Sequence, residues 1–383
     1  MSLSEFGIFS FISSLANLFK SFMSFGGQLY LIYKVSKAKD QKYYYYLKSS
    51  LLSVIIALVI SLCLFFVKLF NQEIINTNHF LFAVLLGSFM VLIQNTYSFF
   101  KGSGAFEKEA KGYFIFLTLI VCSLITFQYN LLVPSLINIL IIVLCIHILL
   151  LIFSTVQLFL YYKKDNSNKE IGKIINDMKN FIKERVPYGF HELQSALYLN
   201  AIIIIMGFLV KEQDLALYRS IQIIIVPISI LPMIFSQVLL KQLTENINNR
   251  VYFNKLFRKF LLFALMTGLL LFTLFYFNGD LIINLFYGER FVEIEYINQL
   301  LLIFASTYLF RFISANYGVL ITAKDKQKIR MYATSALIVV TVTTTILLTK
   351  SLGVLGAAYA NAISYFFIMV VYIIYSEIKL LRN

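Results

Sequence analysis

Three cations stand where an apolar helix should have none. Lys20 lies about 13 residues into the run GIFSFISSLANLFKSFMSFGGQLYLIY (7–33), and Arg311 sits at similar depth in YLFRFISANYG. Arg219, in LYRSI, lies roughly one turn into a further run. An ionised lysine at the centre of a membrane-spanning helix costs about 2.5–3.5 kcal/mol on insertion scales. Lys20 is too deep to snorkel comfortably to either surface. It therefore requires a wet cavity or a counter-ion.

Counter-ions are scarce. The apolar runs between residues 7 and 162 contain no Asp or Glu, and the acid clearly within the second bundle is Glu192, beside His191. The three cations cannot all be neutralised internally. The chemistry they suit is holding an anionic group, above all a phosphate, Arg through its planar fork and Lys as a point charge. The bland alternative is an ion pair of Lys20 or Arg311 with Glu192, with Arg219 reaching for the membrane edge. Glu192 and His191 are thus candidates for ion coupling or for a structural pair. VPISILP places Pro227 and Pro232 inside one run. Proline removes a helical hydrogen bond and bends the chain, which membrane proteins tolerate where a helix lines a cavity. A gating bend and a static bend both fit. Pro187 is expected at the first turn of its helix, a favourable place for proline.

No catalytic constellation emerges: there is no Ser/His/Asp cluster, no Gly-rich phosphate loop and no pair of acids at one depth. Cys63, Cys122 and Cys145 lie in apolar segments, and His79, His147 and His191 are far apart, so neither a disulfide nor a metal site is expected. The expectation is a non-enzyme without metal or cofactor.

The elements that must position these residues are plain from composition. The chain is 60% hydrophobic and 14% charged, with mean hydropathy +0.80, whereas soluble domains keep about a quarter of their residues charged. Spans need about 20 predominantly apolar residues. Eleven such runs occur: 7–33, 47–70, 78–100, 112–129, 135–162, 187–210, 215–240, 257–277, 294–322, 331–349 and 353–376. This predicts an all-α polytopic membrane protein; a β-barrel would show short alternating segments instead. The small residues of GVLGAAYANAIS (353–364) suit close helix packing. Tyr43–Tyr46, Tyr161, Tyr162, Tyr372 and Tyr375 read as an aromatic belt.

Most of the 33 lysines and arginines fall in one alternating set of loops: 34–48, 101–111, 163–185, 241–259, 324–330 and the C-terminal tail. By the positive-inside rule these are cytoplasmic. The net charge of +14 is then a topology signal and needs no nucleic acid. Met1–Phe6 falls on the outer face, as if one preceding helix were missing. A shift of 209 residues pairs EFGIF (Glu5–Phe9) with DLALY (Asp214–Tyr218) and Gln28 with Gln237, predicting two parallel repeats of five helices. The expected organisation is an N-terminal lobe of five helices (1–162), a cytoplasmic linker (163–186) whose IGKIINDMKNFIK forms an interfacial amphipathic helix, and a C-terminal lobe of six helices (187–383).

SLSEFGIFSFISSLANLFKSFMSFGGQLYLIYKVSK, YLNAIIIIMGFLVKEQDLALYRSIQIIIVPISILPMIFSQVLLKQLTE and LITAKDKQKIRMYATSALIVVTVTTTILLTKSLGVLGAAYANAIS resemble the second helix, the start of the second lobe and the last two helices of the polysaccharide (O-antigen) flippases. These belong to the multidrug/oligosaccharidyl-lipid/polysaccharide exporter superfamily. The resemblance implies two pseudo-symmetric bundles around a central cavity, with eleven of the family's twelve helices present. It implies alternating access that moves a polyprenyl-pyrophosphate-linked oligosaccharide to the outer leaflet of a bacterial cytoplasmic (inner) membrane, with the C-terminus cytoplasmic. Lys20, Arg311 and Arg219 would grip the anionic head group. The implied partners are that lipid-linked substrate, membrane lipids and other polysaccharide-assembly membrane proteins, as for lipopolysaccharide O-antigen. Many relatives carry an acid where this chain has Ile202, which leaves no coupling carboxylate there.

Two other readings stand beside it. A multidrug or cation antiporter of the same fold needs an intramembrane acid in the first lobe, and the sequence shows none. A glycan polymerase or acyltransferase needs a large outer loop or a His/Asp pair at one depth, and neither is visible.

Overall fold

Helix occupies most of each of the eleven apolar runs among the described residues. The structure is a computed structural model that describes residues 1–38, 41–70, 77–162, 178–292, 294, 296–324 and 326–381. In chain order the helices are α1 (Leu3–Ser24), α2 (Gly27–Lys37), α3 (Lys42–Phe70), α4 (Thr77–Gly102), α5 (Phe106–Gln128), α6 (Leu136–Tyr162), α7 (Met178–Leu209), α8 (Glu212–Ile225), α9 (Ile230–Glu245), α10 (Arg250–Tyr287), the short α11 (Glu289–Val292), α12 (Ile297–Ala323) and α13 (Gln327–Ser376). There is no strand among the described residues.

Nine helical stretches are long and apolar enough to cross a bilayer among those residues. The count falls short of eleven because one run is broken and two others follow one another without a gap. Run 215–240 is interrupted by a 3-10 turn, Val226–Ser229, that contains Pro227. Pro232 follows in the first turn of α9, where its missing N–H costs no helical bond. Runs 331–349 and 353–376 are contiguous within α13 but the chain turns back at Gly353 (φ 59°, ψ −135°), so that the Thr341 hydroxyl donates to Ser364 Oγ at 2.8 Å across the turn. The run 7–33 is also discontinuous, parted at Phe25 and Gly26, both left-handed (φ 41° and 79°).

Packing divides the chain into two compact units, Met1–Asn200 and Ala201–Asn383. In the first, α4 is the central helix and packs against α1, α2, α3, α5 and α6. Its core joins Leu31, Val35, Tyr46, Phe99, Phe100 and Leu158. In the second, α12 is central and packs against α8, α9, α10 and α13, with Ala357, Ala358 and Ala360 of α13 buried. Each central helix is the third of its set of five, the correspondence the repeat requires. Within the first unit the tyrosines read as a belt pack against one another: Tyr43 stacks on Tyr162 at 4.1 Å and Tyr46 lies edge-on to Phe99 at 5.7 Å.

The helix expected to begin at Pro187 is already formed at Met178, so Pro187 is an interior residue of α7. The polar face of residues 178–186 resembles linker in sequence, but its partners are main-chain carbonyls at the end of α1 and side chains of α2 and α3. Up to Asn200, α7 belongs with the first unit, although its sequence position suggested the head of a second lobe. The remainder of the expected linker, 163–177, lies outside the described residues, as do the side chains of His191 and Gln237.

Candidate functional site

A helix broken inside a bilayer leaves carbonyls at one end and N–H groups at the other, and no water is present to satisfy them. The α1–α2 break meets this demand with two opposite charges from α7. The Arg185 guanidinium donates through Nε to the Phe25 carbonyl (2.8 Å) and through Nη2 to the Ser24 carbonyl. Glu192 Oε2 accepts the Gly26 N–H (2.7 Å) and the Ser24 hydroxyl (3.0 Å). The cation caps the negative end of α1 and the anion the positive end of α2, the arrangement helix dipoles favour. Arg185 is fully buried. Its Nη1 donates to Ser49 Oγ (3.1 Å), which continues into a buried chain through Asn95 to Ser53. A Cβ on Gly26 would collide with the backbone of Tyr188 and Gly189, so close approach and left-handed backbone both require glycine there.

This clamp fixes the residues on either side of the break. Lys20 lies one turn before it and Gln28 just after it. Both line a cavity of about 280 Å³ in the first unit, walled further by Gln94, Tyr97, Tyr113 and His147. Gln94 Nε2 donates to Gln28 Oε1 (3.0 Å). His147 Nδ1–H donates to the Val143 carbonyl (2.7 Å). Lys101 and Glu109, on the same cavity, bridge at 2.9 Å. Lys20 is half-buried and makes no hydrogen bond or ion pair among the described residues. Glu192 lies within electrostatic range of it, but the carboxylate caps the helix break and makes no direct bridge to the lysine. The expected structural pair of Lys20 with Glu192 is therefore replaced by capping, because exposed backbone groups make stronger claims on a buried carboxylate.

The other two candidate cations belong to the second unit. Arg311 lies over the rings of Tyr308 and Tyr365, 5.4 and 5.7 Å from their centroids. Arg219 donates to Gln222 Oε1 at 2.6 Å. Beside it, Tyr218 is buried, stacks edge-on against Phe304 at 5.0 Å, and lies within electrostatic range of Tyr308 and Tyr365. The two arginines thus border one tyrosine cluster.

Sequence reading missed Arg185, which counted as one more linker cation, and the amide pair Gln28–Gln94. The Gly26–Gly27 doublet inside an apolar run was the available signal for a break, and any break needs caps. Lys48, counted as a loop charge, is buried over the Tyr44 ring at 4.3 Å.

A family described as "Polysaccharide biosynthesis protein" matches residues 1–240. No protein of curated function matches the chain. Among solved structures, an inward-facing multidrug resistance MATE family transporter of the MOP superfamily is similar with a TM-score of 0.72 and 13% identity, over 98% of this chain and 90% of that one. Lipid II flippase MurJ in an inward closed conformation gives 0.66 and 16%, over 98% and 86%. A MOP superfamily transporter from Pyrococcus furiosus, described as having a binding pocket of reversed polarity, gives 0.52 and 13%, over 99% and 86%. At these identities the likeness shows the fold: an all-α, multi-pass membrane protein of that transporter architecture.

Proposed function

The chain belongs to the polysaccharide biosynthesis protein family, and from that premise we propose that it is a flippase. It moves a polyprenyl-pyrophosphate-linked oligosaccharide across a bacterial cytoplasmic membrane by alternating access, for surface polysaccharide assembly, with its C-terminus cytoplasmic. The observation that carries this reading is Lys20, a cation at membrane depth that lines a cavity and has no carboxylate of its own among the described residues. A phosphate is the ligand that makes such a lysine favourable, since hydrogen bonds to charged groups contribute about 1.5–3 kcal/mol. Within the second unit, Arg311 and Arg219 are the cations that suit an anionic group. Pro227 and Pro232 supply the bend at which α8 and α9 shift during the cycle.

The test is leaflet-resolved transport of a lipid-linked glycan in proteoliposomes. Lys20→Ala and Arg311→Ala are each expected to slow transport about tenfold or more, because 1.4 kcal/mol corresponds to one decade. Wild-type rates in both variants would remove the binding role. An antiporter would instead move an organic cation against a proton or sodium gradient, with Lys20→Ala no slower than wild type.

A further inference from the structure

In the second unit α13 turns back at Gly353, so its two arms run side by side and its two ends come together. Where they meet, Lys326, Gln327, Lys328 and Ile329 from one end and Tyr375 from the other line a cavity of about 640 Å³. The neighbouring cations are committed elsewhere. Arg330 donates to Thr322 Oγ1 at 2.6 Å, Arg258 bridges Glu377 at 2.6 Å, and Lys324 lies over the Phe253 ring at 4.5 Å. Lys326 and Lys328 are exposed and make no hydrogen bond or ion pair among the described residues. Two like charges on one cavity repel each other until an anion joins them.

The first arm of α13 fixes the depth of this cavity in the bilayer. From Lys328 to Lys350 the helix is unbroken and rises roughly 33 Å, close to a hydrocarbon thickness of about 30 Å. The two lysines therefore stand at opposite headgroup levels, with Met331, Tyr332, Val339 and Leu347 exposed between them. On the second arm Ile374 and Ile378, flanking Tyr375 in sequence, are exposed as well. A cationic cavity at phosphate depth thus adjoins apolar faces suited to acyl chains. A soluble anion would use only the first of these features. We propose that the cavity holds the headgroup of an anionic phospholipid, in the leaflet that the positive-inside rule assigns to the cytoplasm. Lys326 and Lys328 take its phosphate as point charges, the Gln327 amide and the Tyr375 hydroxyl donate to its remaining oxygens, and its chains lie along both arms. Basic pockets between transmembrane helices on that side suit such headgroups. This lipid is a bound component and not the cargo, so the proposal stands apart from the flippase reading.

The experiment titrates the full chain in a neutral detergent with dioctanoyl phosphatidylglycerol, dioctanoyl phosphatidylcholine and glycerol 3-phosphate, reading affinity from the masses of intact complexes. Phosphatidylglycerol is expected to bind at least tenfold more tightly than either of the others. Lys326→Gln and Lys328→Gln should each weaken it about fivefold, the contribution expected of one lysine at an anionic surface. Lys255→Gln, which removes an exposed charge from another loop of the same unit, should leave it unchanged. All three lysines are exposed, so the variants keep the fold. Equal affinity for the two phospholipids would overturn the proposal. Glycerol 3-phosphate binding as tightly as the lipid would reassign the cavity to a soluble anion and overturn it too. Equal losses in all three variants would do the same, reducing the effect to diffuse surface charge.

Discussion

Arg185 shows how far one side chain's meaning depends on what surrounds it. In sequence it ends a run of linker charges; in the fold it holds two carbonyls and a serine in the dry interior. Arg185→Ala would leave those acceptors buried and unpaired beside Glu192, a change in the class that costs about 3–5 kcal/mol. Arg185→Lys should recover part of this, since an ammonium lacks the fork. Thermal unfolding of the purified protein should rank wild type above Lys above Ala; an Ala variant as stable as wild type would refute the capping role. Two glycines give a matched comparison. Gly26 and Gly104 share φ near 79°, but a Cβ on Gly104 would meet nothing within 4 Å. Gly104→Ala should cost only the left-handed strain, about 1–2 kcal/mol, whereas Gly26→Ala must also displace α7 and should abolish folded yield. Equal melting shifts would show that the close approach is unimportant. Lys20, Arg219 and Arg311 were legible because each violates an apolar run. Arg185 was hidden because its own neighbours in sequence are polar.

Among the elements, the breaks were partly written in the chain. Gly353 and the VPISILP stretch mark theirs with residues that stop helices, and Gly26–Gly27 did so unread. The extension of α7 back to Met178 was not legible, since its polar face serves main-chain carbonyls at the end of α1 and side chains of α2 and α3. One contact there has a pH signature. Glu184 accepts from Lys34 at 2.6 Å and from the Tyr30 hydroxyl at 2.8 Å, and these bonds, Lys34 first, hold its carboxyl below the ordinary glutamate value. A lowered folded-state value means that the contribution is present above the unfolded value, about 4.3, and disappears as pH falls through the lower one. With its side chain 53% exposed, screening limits the pair to under about 1 kcal/mol. The melting temperature of wild type should exceed that of Glu184→Gln slightly at pH 6, and the gap should close toward pH 3. A gap independent of pH would assign the contact to packing instead.

For the whole molecule, hydropathy alone gave the helical class and the eleven runs, because a bilayer admits so few backbone solutions. The division of packing between Asn200 and Ala201 lay beyond sequence, since it falls inside an uninterrupted helix. The cavity lay beyond it too: Gln28, Gln94 and His147 sit on three separate helices and converge only when α1, α2, α4 and α6 pack. The clamp on the broken helix carries one more consequence. Arg185 and Glu192 are seven residues apart on a single rod, with opposite signs, and each grips an opposite lip of the same fracture. Neither can let go alone without stranding a bare charge in oil. The two grips are therefore tied together through α7: a change that frees one charge must also neutralise or re-pair the other.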